Sequence, residues 1–396
     1  MNKYIASNQS ITMTLKLLIK VSNLCTDLFV TFYLWDAVDG NLAQIVMYKV
    51  AVFLMIPIIM LIFMKMSKKP YRKWMMVSGQ ILSGCHIILL YVLGPSCIDF
   101  LIPLGIIEGI STGMFWTVYN QWDIEGVTKS VHGRSKYQGT YTAFSSMINI
   151  SVPVIVGILM NKFGFLVIGL ILVLLGVVIS ICADLYDDTV TKTFPSVSVK
   201  SFIQSLDQSG KEAMTAFGLC DLFRGMTHSF GSFDLFISIF LIGIFPNSKS
   251  FGAANSVIYV FAIGMGMVFS KIVKKYPHTP PKIQFFTWGL YAAASVALCM
   301  TKTEPALFLF ILSYQAMKNI DSMNYGTATG IITNRYAKGY VVETYALMEW
   351  VLTIGRILGF GMLYFLYGQS VLYAFYVIAF LCNTISVSQA WHKMKP

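Results

Sequence analysis

Continuous apolar runs of about 20 residues recur along the whole chain and are separated by short polar breaks. Each residue of an α-helix adds about 1.5 Å, so a run of this length spans the hydrocarbon core of a bilayer. Only 12% of the 396 residues are charged and 56% are hydrophobic, whereas about a quarter of the residues in soluble domains are charged. The pattern excludes an ordinary soluble protein. It also excludes a membrane β-barrel, whose strands are alternating segments of about ten residues.

The apolar runs predict twelve transmembrane helices in an all-α integral membrane protein. The predicted spans are 13–34, 43–64, 74–94, 98–122, 137–161, 163–184, 213–243, 252–271, 283–301, 305–327, 342–367 and 370–391. The longest polar break, residues 185–212, lies near the middle of the chain. We therefore predict an N-terminal six-helix half at 1–190, a cytoplasmic central linker at 191–212 and a C-terminal six-helix half at 213–396.

The two halves resemble each other at a few positions. A shift of 204 residues aligns Thr140-Tyr141 with Thr344-Tyr345, and a shift of 194 aligns Asp27-Leu28-Phe29 with Asp221-Leu222-Phe223. Both alignments pair helix n with helix n+6, and because six is even the halves keep the same orientation. The sequence therefore predicts two parallel six-helix pseudo-repeats.

The basic residues are distributed unevenly about the predicted membrane. Most of them lie in the termini and in alternate loops, whereas only Lys162, Lys249 and Lys302 lie in the other loops. This positive-inside bias predicts a multi-pass protein of the cell membrane with both termini in the cytoplasm. The net charge of +11 is thus expected to face anionic lipid, and no nucleic-acid partner is predicted.

Motifs for catalysis and metal binding are nearly missing from the sequence. The seven cysteines form no C-x-x-C pair, and the chain contains neither H-E-x-x-H nor a P-loop. Gly109-Ile-Ser-Thr-Gly113 matches G-x-S-x-G, but a nucleophile elbow needs a strand-turn-helix context, and this stretch is predicted to lie within a membrane helix. We predict that the chain is not an enzyme and needs neither a cofactor nor a metal.

The parallel six-plus-six repeat with a polar central loop resembles the major facilitator superfamily (MFS) of secondary transporters over the whole chain. Helices four and five also resemble a YqgE-like group of bacterial transporters, through Gly109, Gly113, Phe115-Trp116, Tyr119-Asn120, Thr128, Arg134, Gly139, Pro153 and Gly157. The loop at residues 64–73 departs from the superfamily pattern G-x-x-x-D-[RK]-x-G-R-[RK]. It keeps the basic residues, but the charge relay associated with that motif lacks its acidic member here.

Ionisable residues inside the predicted spans are the main functional candidates, because placing such groups in a membrane costs a few kcal/mol. They are Asp27, Lys49, Glu108, Asp221, Arg224, Asp234, Lys318, Asp321, Glu349 and Arg356. None lies centrally in helices three, six, nine or twelve. The resemblance implies that those four helices support the bundle from outside, whereas helices one, four, seven and ten line a central cavity. The distribution therefore favours a polar substrate pathway.

Spacing sorts several candidates into local groups. Asp221, Arg224 and His228 lie at i, i+3 and i+7 on one helical face, where an ion pair beside a titratable imidazole can form. The pair Lys318 and Asp321 is three residues apart. We predict that these groups contribute to the substrate pathway, and the alternative is that they are neutralised pairs that only fix helix packing.

The remaining charged candidates divide into a pair and two isolated carboxyls. Glu349 and Arg356 are two helical turns apart on one face. Asp27 and Glu108 have no opposite charge within four residues, so we predict that they couple transport to protons. The alternative is that Lys49 or Arg356 pins one of these carboxyls across helices.

Aromatic residues of helix four can enclose an organic substrate, and Trp116 and Tyr119 are the candidates. His86, on predicted supporting helix three, is expected to be a hydrogen-bonded packing residue.

The sequence predicts a monomeric secondary active transporter that moves a small organic, amphipathic or zwitterionic solute by alternating access. Proton coupling is favoured by the membrane carboxyls, and export (efflux) is favoured over import. The predicted partners are the solute, protons and membrane lipid. One alternative is a lipid or glycolipid flippase of the same fold. Another is a membrane receptor or interaction protein that does not transport, for which the altered loop after helix two is the argument.

Overall fold

A computed structural model describes residues 2–64, 69–126, 131–186, 198–228, 231–275, 280–336 and 340–393. Every regular element in these ranges is helical. The α-helices are α1 (Asn2–Leu24), α2 (Thr31–Ala37), α3 (Leu42–Met64), α4 (Lys69–Leu93), α5 (Leu101–Gly126), α6 (Val131–Phe163), α7 (Leu166–Leu185), α8 (Val199–Ser205), α9 (Gln208–Met226), α10 (Ser232–Ile244), α11 (Ser248–Lys275), α12 (Pro280–Thr301), α13 (Glu304–Tyr336), α14 (Val341–Leu366) and α15 (Val371–Lys393).

These helices confirm the predicted all-α architecture with twelve spans in the described part of the chain. The first span runs from α1 through a π-helical turn, Cys25–Val30, into α2. The seventh is α9 followed by α10, and each of the other spans is one α-helix. Eight described stretches are long and apolar enough to cross a membrane, and one of them covers both α4 and α5. Helices α9, α10, α11 and α13 lie outside those stretches. In α9 and α13 the charged residues lower the local hydropathy, and α10 has only 13 residues.

The prediction of one continuous seventh helix over 213–243 is wrong. Helix α9 ends at Met226, Thr227 leaves the helical region at φ −114° and ψ −86°, and α10 begins at Ser232. The Ser232 hydroxyl donates to the Met226 carbonyl at 2.8 Å, and the Phe233 amide donates to the Thr227 carbonyl at 3.1 Å. These bonds satisfy carbonyl groups freed by the break, which makes an interruption tolerable at membrane depth.

The predicted central linker is only partly a loop. Residues 187–197 lie outside the described residues, but α8 and the first residues of α9 follow directly. The Ser198 hydroxyl accepts from the Ser201 amide at 3.3 Å, and the Asp207 carboxylate accepts from the Gly210 amide at 2.7 Å. Both side chains therefore act as N-caps, so part of the polar composition of this segment serves to start helices.

The chain divides into two compact units. The N unit comprises Met1–Val197, Ser238–Ser256 and Gly339–Ala346, and the C unit comprises Ser198–Ile237, Val257–Lys338 and Leu347–Pro396. The sequence-based domain limits at 190 and 213 stay a prediction.

In the N unit, a row of glycines lets α5 pack closely against α3. Gly105, Gly109 and Gly113 are spaced four residues apart and lie on one face of α5. A Cβ atom added at Gly109 would lie 2.4 Å from the Val52 carbonyl oxygen, and one at Gly105 would lie 2.7 Å from the Tyr48 oxygen. The G-x-S-x-G sequence is therefore part of a small-residue helix contact.

The C unit contains a second close contact, between α9 and α14. A Cβ atom added at Gly225 would lie 2.2 Å from the Leu352 carbonyl oxygen, and one at Gly355 would lie 2.0 Å from that of Leu222. This contact places the charged turn of α9 beside α14, which carries two further candidate charges.

Candidate functional site

Asp321 is the centre of a buried polar cluster in the C unit, which we call the Asp321 cluster. Its carboxylate accepts from Arg224 Nε at 3.0 Å and contacts His228 Nε2 at 2.7 Å. It also accepts from the side-chain amides of Gln284 at 2.8 Å and Asn383 at 2.7 Å. Only 1% of Asp321 is exposed, so these four partners replace the water that an ionised carboxylate would otherwise require.

His228 links the Asp321 cluster to the break after α9. Its Nδ1 atom lies 3.0 Å from the Thr227 hydroxyl, and its ring packs against Phe380 with centroids 5.5 Å apart. The Thr227 hydroxyl is also 2.8 Å from the Phe223 carbonyl oxygen. Both imidazole nitrogens are thus in contact with protein groups, Asp321 on one side and Thr227 on the other.

One further amide, that of Asn324, and the thiol of Cys220 extend the Asp321 cluster. The Asn324 amide donates to the Gln284 carbonyl oxygen at 2.8 Å, and Cys220 Sγ lies 3.7 Å from Asn383 Oδ1. Gln284 and Asn383 lie on α12 and α15, which correspond to predicted helices nine and twelve. These helices carry no central charge, yet they supply half of the partners of Asp321. Sequence analysis missed both residues because it searched for charges, and amides inside apolar spans would have indicated them.

The predicted Asp221–Arg224 pairing differs from what the structure shows. Arg224 pairs with Asp321 on α13, and its guanidinium carbon lies 3.4 Å from the centroid of the Tyr325 ring. Asp221 accepts from the Tyr325 hydroxyl at 2.7 Å and has no ion-pair partner within 4 Å among the described residues. Sequence spacing could not reveal this partner, because Asp321 lies on a different helix, α13, 97 residues from Arg224.

Lys318 pairs with Asp234 rather than with its sequence neighbour Asp321. Its Nζ atom donates to Asp234 Oδ1 at 2.5 Å, and the Tyr314 hydroxyl donates to the same oxygen at 2.5 Å. The Lys318 and Asp234 side chains are 29% and 22% exposed. This pair therefore connects α13 with α10 and keeps partial access to its surroundings, in contrast to the buried Asp321 cluster.

The structure brings Glu349 and Arg356 together as their spacing suggests. Arg356 Nη1 donates to Glu349 Oε1 at 2.5 Å along α14. The arginine side chain is 4% exposed and the glutamate 20%. The acidic end of this pair is thus the accessible one.

In the N unit, Glu108 has a partner that sequence analysis assigned only to packing. His86 Nδ1 lies 3.3 Å from Glu108 Oε2, and the Ser83 hydroxyl donates to the same oxygen at 3.3 Å. The other imidazole nitrogen, Nε2, lies 3.3 Å from the Tyr48 hydroxyl. Glu108, His86 and Tyr48 therefore form a chain across α5, α4 and α3. Neither Lys49 nor Arg356 is the partner of Glu108.

Glu108 also borders a small polar cavity of about 30 Å³, which is large enough for a water molecule. Its lining contains Ser22, Asn23, Thr26, Gln80, Ser83, Glu108, Ser111 and Thr112, together with Trp116 and three other residues. Asp27 lies next to this region in the π-helical turn, a feature frequent at functional sites. Tyr48 interacts electrostatically with both Glu108 and Asp27.

The aromatic candidates Trp116 and Tyr119 contact each other and Phe115. The Trp116 and Tyr119 rings meet edge to face with centroids 5.3 Å apart. The Tyr119 hydroxyl donates to Asp123 at 3.4 Å, and Lys16 lies 3.6 Å from the same carboxylate. Lys16 is a charged residue inside the first span that sequence analysis missed. Tyr119 is 4% exposed, so of these two candidates Trp116 alone borders the small cavity.

Lys49 lies beside the Tyr48 ring, with its Nζ atom 6.0 Å from the ring centroid, and is partly buried. Within the described residues, no group of three or more His, Cys, Asp and Glu side chains is arranged to hold a metal ion.

Comparisons with known proteins agree with this architecture. A family model described as the Major Facilitator Superfamily matches residues 28–360. No curated protein matches the chain by sequence.

Three solved structures illustrate the fold. A bacterial homologue of the iron transporter ferroportin in an inward-facing state aligns with a TM-score of 0.64 and 13% identity, covering 98% of this chain and 99% of that chain. The human organic anion transporter TETRAN aligns with a TM-score of 0.62 and 13% identity, covering 98% and 99%. A nucleoside transporter aligns with a TM-score of 0.62 and 11% identity, covering 99% of both chains. At these identities the similarity shows the fold alone.

The helices and their internal charges define a multi-pass helical membrane protein with a transporter fold. The chain belongs to the Major Facilitator Superfamily, which confirms the resemblance found in the sequence. The three solved structures with this fold are described as transporters. The YqgE-like assignment stays a prediction.

Proposed function

We propose that this chain is a proton-coupled secondary active transporter of a small organic solute that carries both a positive and a negative charge. The observation that carries the proposal is the Lys318–Asp234 pair, which lies on membrane helices and is only partly buried. Holding such charges in a membrane is costly. A partly accessible pair of opposite charges provides complementary contacts for the ammonium and carboxylate groups of a zwitterion.

Glu349 is a second accessible charge in the C unit, because its carboxylate is the more exposed end of the Glu349–Arg356 pair. A zwitterionic solute can replace one partner of a charge pair without leaving an unpaired charge behind. Trp116, which borders the polar cavity of the N unit, is a separate aromatic candidate for contact with an organic solute.

The transport cycle follows from the family fold. We propose alternating access, in which two halves expose one substrate region to either side in turn. The protein is placed in the cell membrane as a monomer with both termini in the cytoplasm, and it works in the direction of export. Asp27 and Glu108 are the proposed coupling carboxyls of the N unit.

The experiment is uptake into proteoliposomes of a panel of zwitterionic, anionic and cationic organic solutes, measured by mass spectrometry. We expect zwitterions to accumulate under an imposed pH gradient, and accumulation to collapse when an ionophore dissipates that gradient. The neutralised variant Asp234→Asn/Lys318→Gln should transport at least tenfold more slowly. Lys249→Gln, which changes an exposed lysine, should match the wild type. Accumulation of the anionic or cationic solutes only, or accumulation independent of the gradient, would contradict the proposal.

A further inference from the structure

We propose that Asp221 is a proton-binding site in the C unit, additional to the coupling carboxyls of the N unit, and that Arg224 drives release of its proton. The coupling role rests on the proposed function, whereas the protonation itself does not. Asp221 is 1% exposed, and its Oδ2 atom has no hydrogen-bond partner among the residues that the structure describes.

The shortage of partners around the buried Asp221 carboxyl favours the neutral acid, although the single hydrogen bond from Tyr325 by itself favours the anion. The Tyr325 hydroxyl donates to Oδ1 at 2.7 Å, so Oδ1 serves as the carbonyl oxygen and Oδ2 carries the proton. An ionised carboxylate in this place would have one donor and no cation within 4 Å. The neutral acid leaves only one donor unsatisfied, which costs far less than a full charge taken out of water.

Asp321 provides an internal comparison, because it is buried to the same 1%. It receives two cationic or titratable partners, Arg224 and His228, and two amide donors. The two aspartates therefore differ in their partners and not in their burial. Asp321 is expected to remain ionised, and Asp221 to hold a proton.

The charged and titratable groups around Asp221 come from three helices. They are Cys220 and Arg224 on α9, Tyr325 and Asp321 on α13, and Glu349 and Arg356 on α14. Glu349 and Arg356 pair with each other, so their effects on Asp221 largely cancel. Arg224 is then the cation able to stabilise an Asp221 anion.

Arg224 can reach either aspartate. It lies three residues after Asp221 on α9, a spacing at which side chains meet on one helical face. If Arg224 leaves Asp321, that carboxylate keeps three partners, while Asp221 gains a cation. In this step the Asp221 Oδ2–H bond breaks, the proton passes to water, and the new carboxylate pairs with the guanidinium. Reprotonation returns Arg224 to Asp321.

The break between α9 and α10 makes such a movement feasible. It starts at Thr227, three residues after Arg224, and Thr227 also contacts His228 of the Asp321 cluster. A change in the angle between α9 and α10 therefore acts directly on the segment that carries Arg224.

The test is an infrared titration of the purified protein in lipid, which needs no substrate. The C=O stretch of a protonated carboxylic acid should be present in the wild type at neutral pH and lost in Asp221→Asn. It should be retained in the control Asp99→Asn, which removes an exposed carboxyl. An identical signal in wild type and Asp221→Asn would overturn the proposal.

Two further variants keep the test decisive if Asp221→Asn folds poorly. Tyr325→Phe retains the acid but removes the hydrogen bond to its carbonyl oxygen, so the band should move to higher frequency. In Arg224→Gln the band should persist to higher pH than in the wild type, because the anion loses its cation. An unmoved band in Tyr325→Phe would refute the assignment to Asp221. An unchanged titration in Arg224→Gln would remove Arg224 from the release step.

The coupling of transport to protons is measured separately, as proton-driven solute accumulation in proteoliposomes. Loss of the band in Asp221→Asn together with loss of proton-driven accumulation supports both the site and its role. Loss of the band with unchanged proton-driven accumulation would overturn the coupling role. If the wild type shows no proton-driven accumulation, the proposed function fails while the infrared result still decides whether Asp221 binds a proton.

Discussion

Arg224 donates from Nε to Asp321 Oδ2 at 3.0 Å, although 97 residues separate them in the sequence. The same carboxylate contacts the His228 ring and accepts hydrogen bonds from the side-chain amides of Gln284 and Asn383. One carboxylate thereby joins α9, the segment after α9, α12, α13 and α15. Removing Asp321 would leave the Arg224 guanidinium buried without a carboxylate partner, and removing Arg224 would leave His228 as the one titratable partner of Asp321 among the described residues.

The first prediction concerns this pair. Asp321→Asn and Arg224→Gln should each lower the free energy of unfolding by about 3–5 kcal/mol, because each strands a buried charge. The double variant should lose less than the sum, with a coupling of about 0.5–3 kcal/mol. Unfolding of the detergent-solubilised protein, followed by cysteine accessibility, measures the cycle. Strictly additive losses would show that the two side chains do not interact in solution.

The sequence identifies the charged residues of this cluster but not the partners that they pair with. The cost of charge in a membrane singles out Arg224, Asp321, Lys318 and Asp234 as candidates, since charge is a property of each residue alone. Their partners could not be predicted, because pairing depends on which helices lie side by side. The spacing rule favoured Arg224 with Asp221, and the structure joins it to Asp321.

The fold was more predictable than the site. Apolar run length determines a membrane helix almost by itself, so the twelve spans follow directly from the sequence. The interruption after Met226 was missed, because the flanking residues remain apolar enough for one long span. Gly231 fits the tight turn at this break, since a Cβ atom there would lie 2.2 Å from the Gly225 carbonyl oxygen.

The second prediction tests the glycine contact between α3 and α5. Gly109→Ala should destabilise the protein by about 1–3 kcal/mol, because the added methyl overlaps the Val52 carbonyl and forces the helices apart. Gly289→Ala is the matched control, since nothing lies within 4 Å of a Cβ there. Its higher helix propensity should leave stability unchanged or raise it by up to about 1 kcal/mol. Thermal melting of the two variants in one detergent compares them, and equal midpoints would argue against a tight contact.

The third prediction tests the orientation in the membrane. Single cysteines are placed at the exposed positions Asp99, Lys249, Lys200 and Lys282 in a background without native cysteines. A membrane-impermeant maleimide added to intact cells should label the probes at 99 and 249, and should label those at 200 and 282 only after lysis. The positive-inside distribution provides the reason. External labelling at position 200 would reverse the proposed topology and place the central segment outside the cell.

The last prediction concerns the coupling carboxyls of the N unit. Asp27→Asn and Glu108→Gln each remove a titratable group at nearly constant size, and at least one should abolish proton-driven accumulation while leaving folding intact. Glu108 contacts His86, which in turn contacts Tyr48, so His86→Asn should change the pH profile of proton-driven accumulation without abolishing it.

Proteoliposomes with an imposed pH gradient measure both effects, with Asp36→Asn as the control, since Asp36 is exposed and lies on the same first span as Asp27. A His86 variant with the wild-type pH profile would limit that residue to packing. Unchanged proton-driven transport in the Asp27→Asn/Glu108→Gln double variant would remove both carboxyls from the mechanism. The proton pathway would then have to run through the C unit, where Asp221 is the remaining buried carboxyl without a counter-ion among the described residues.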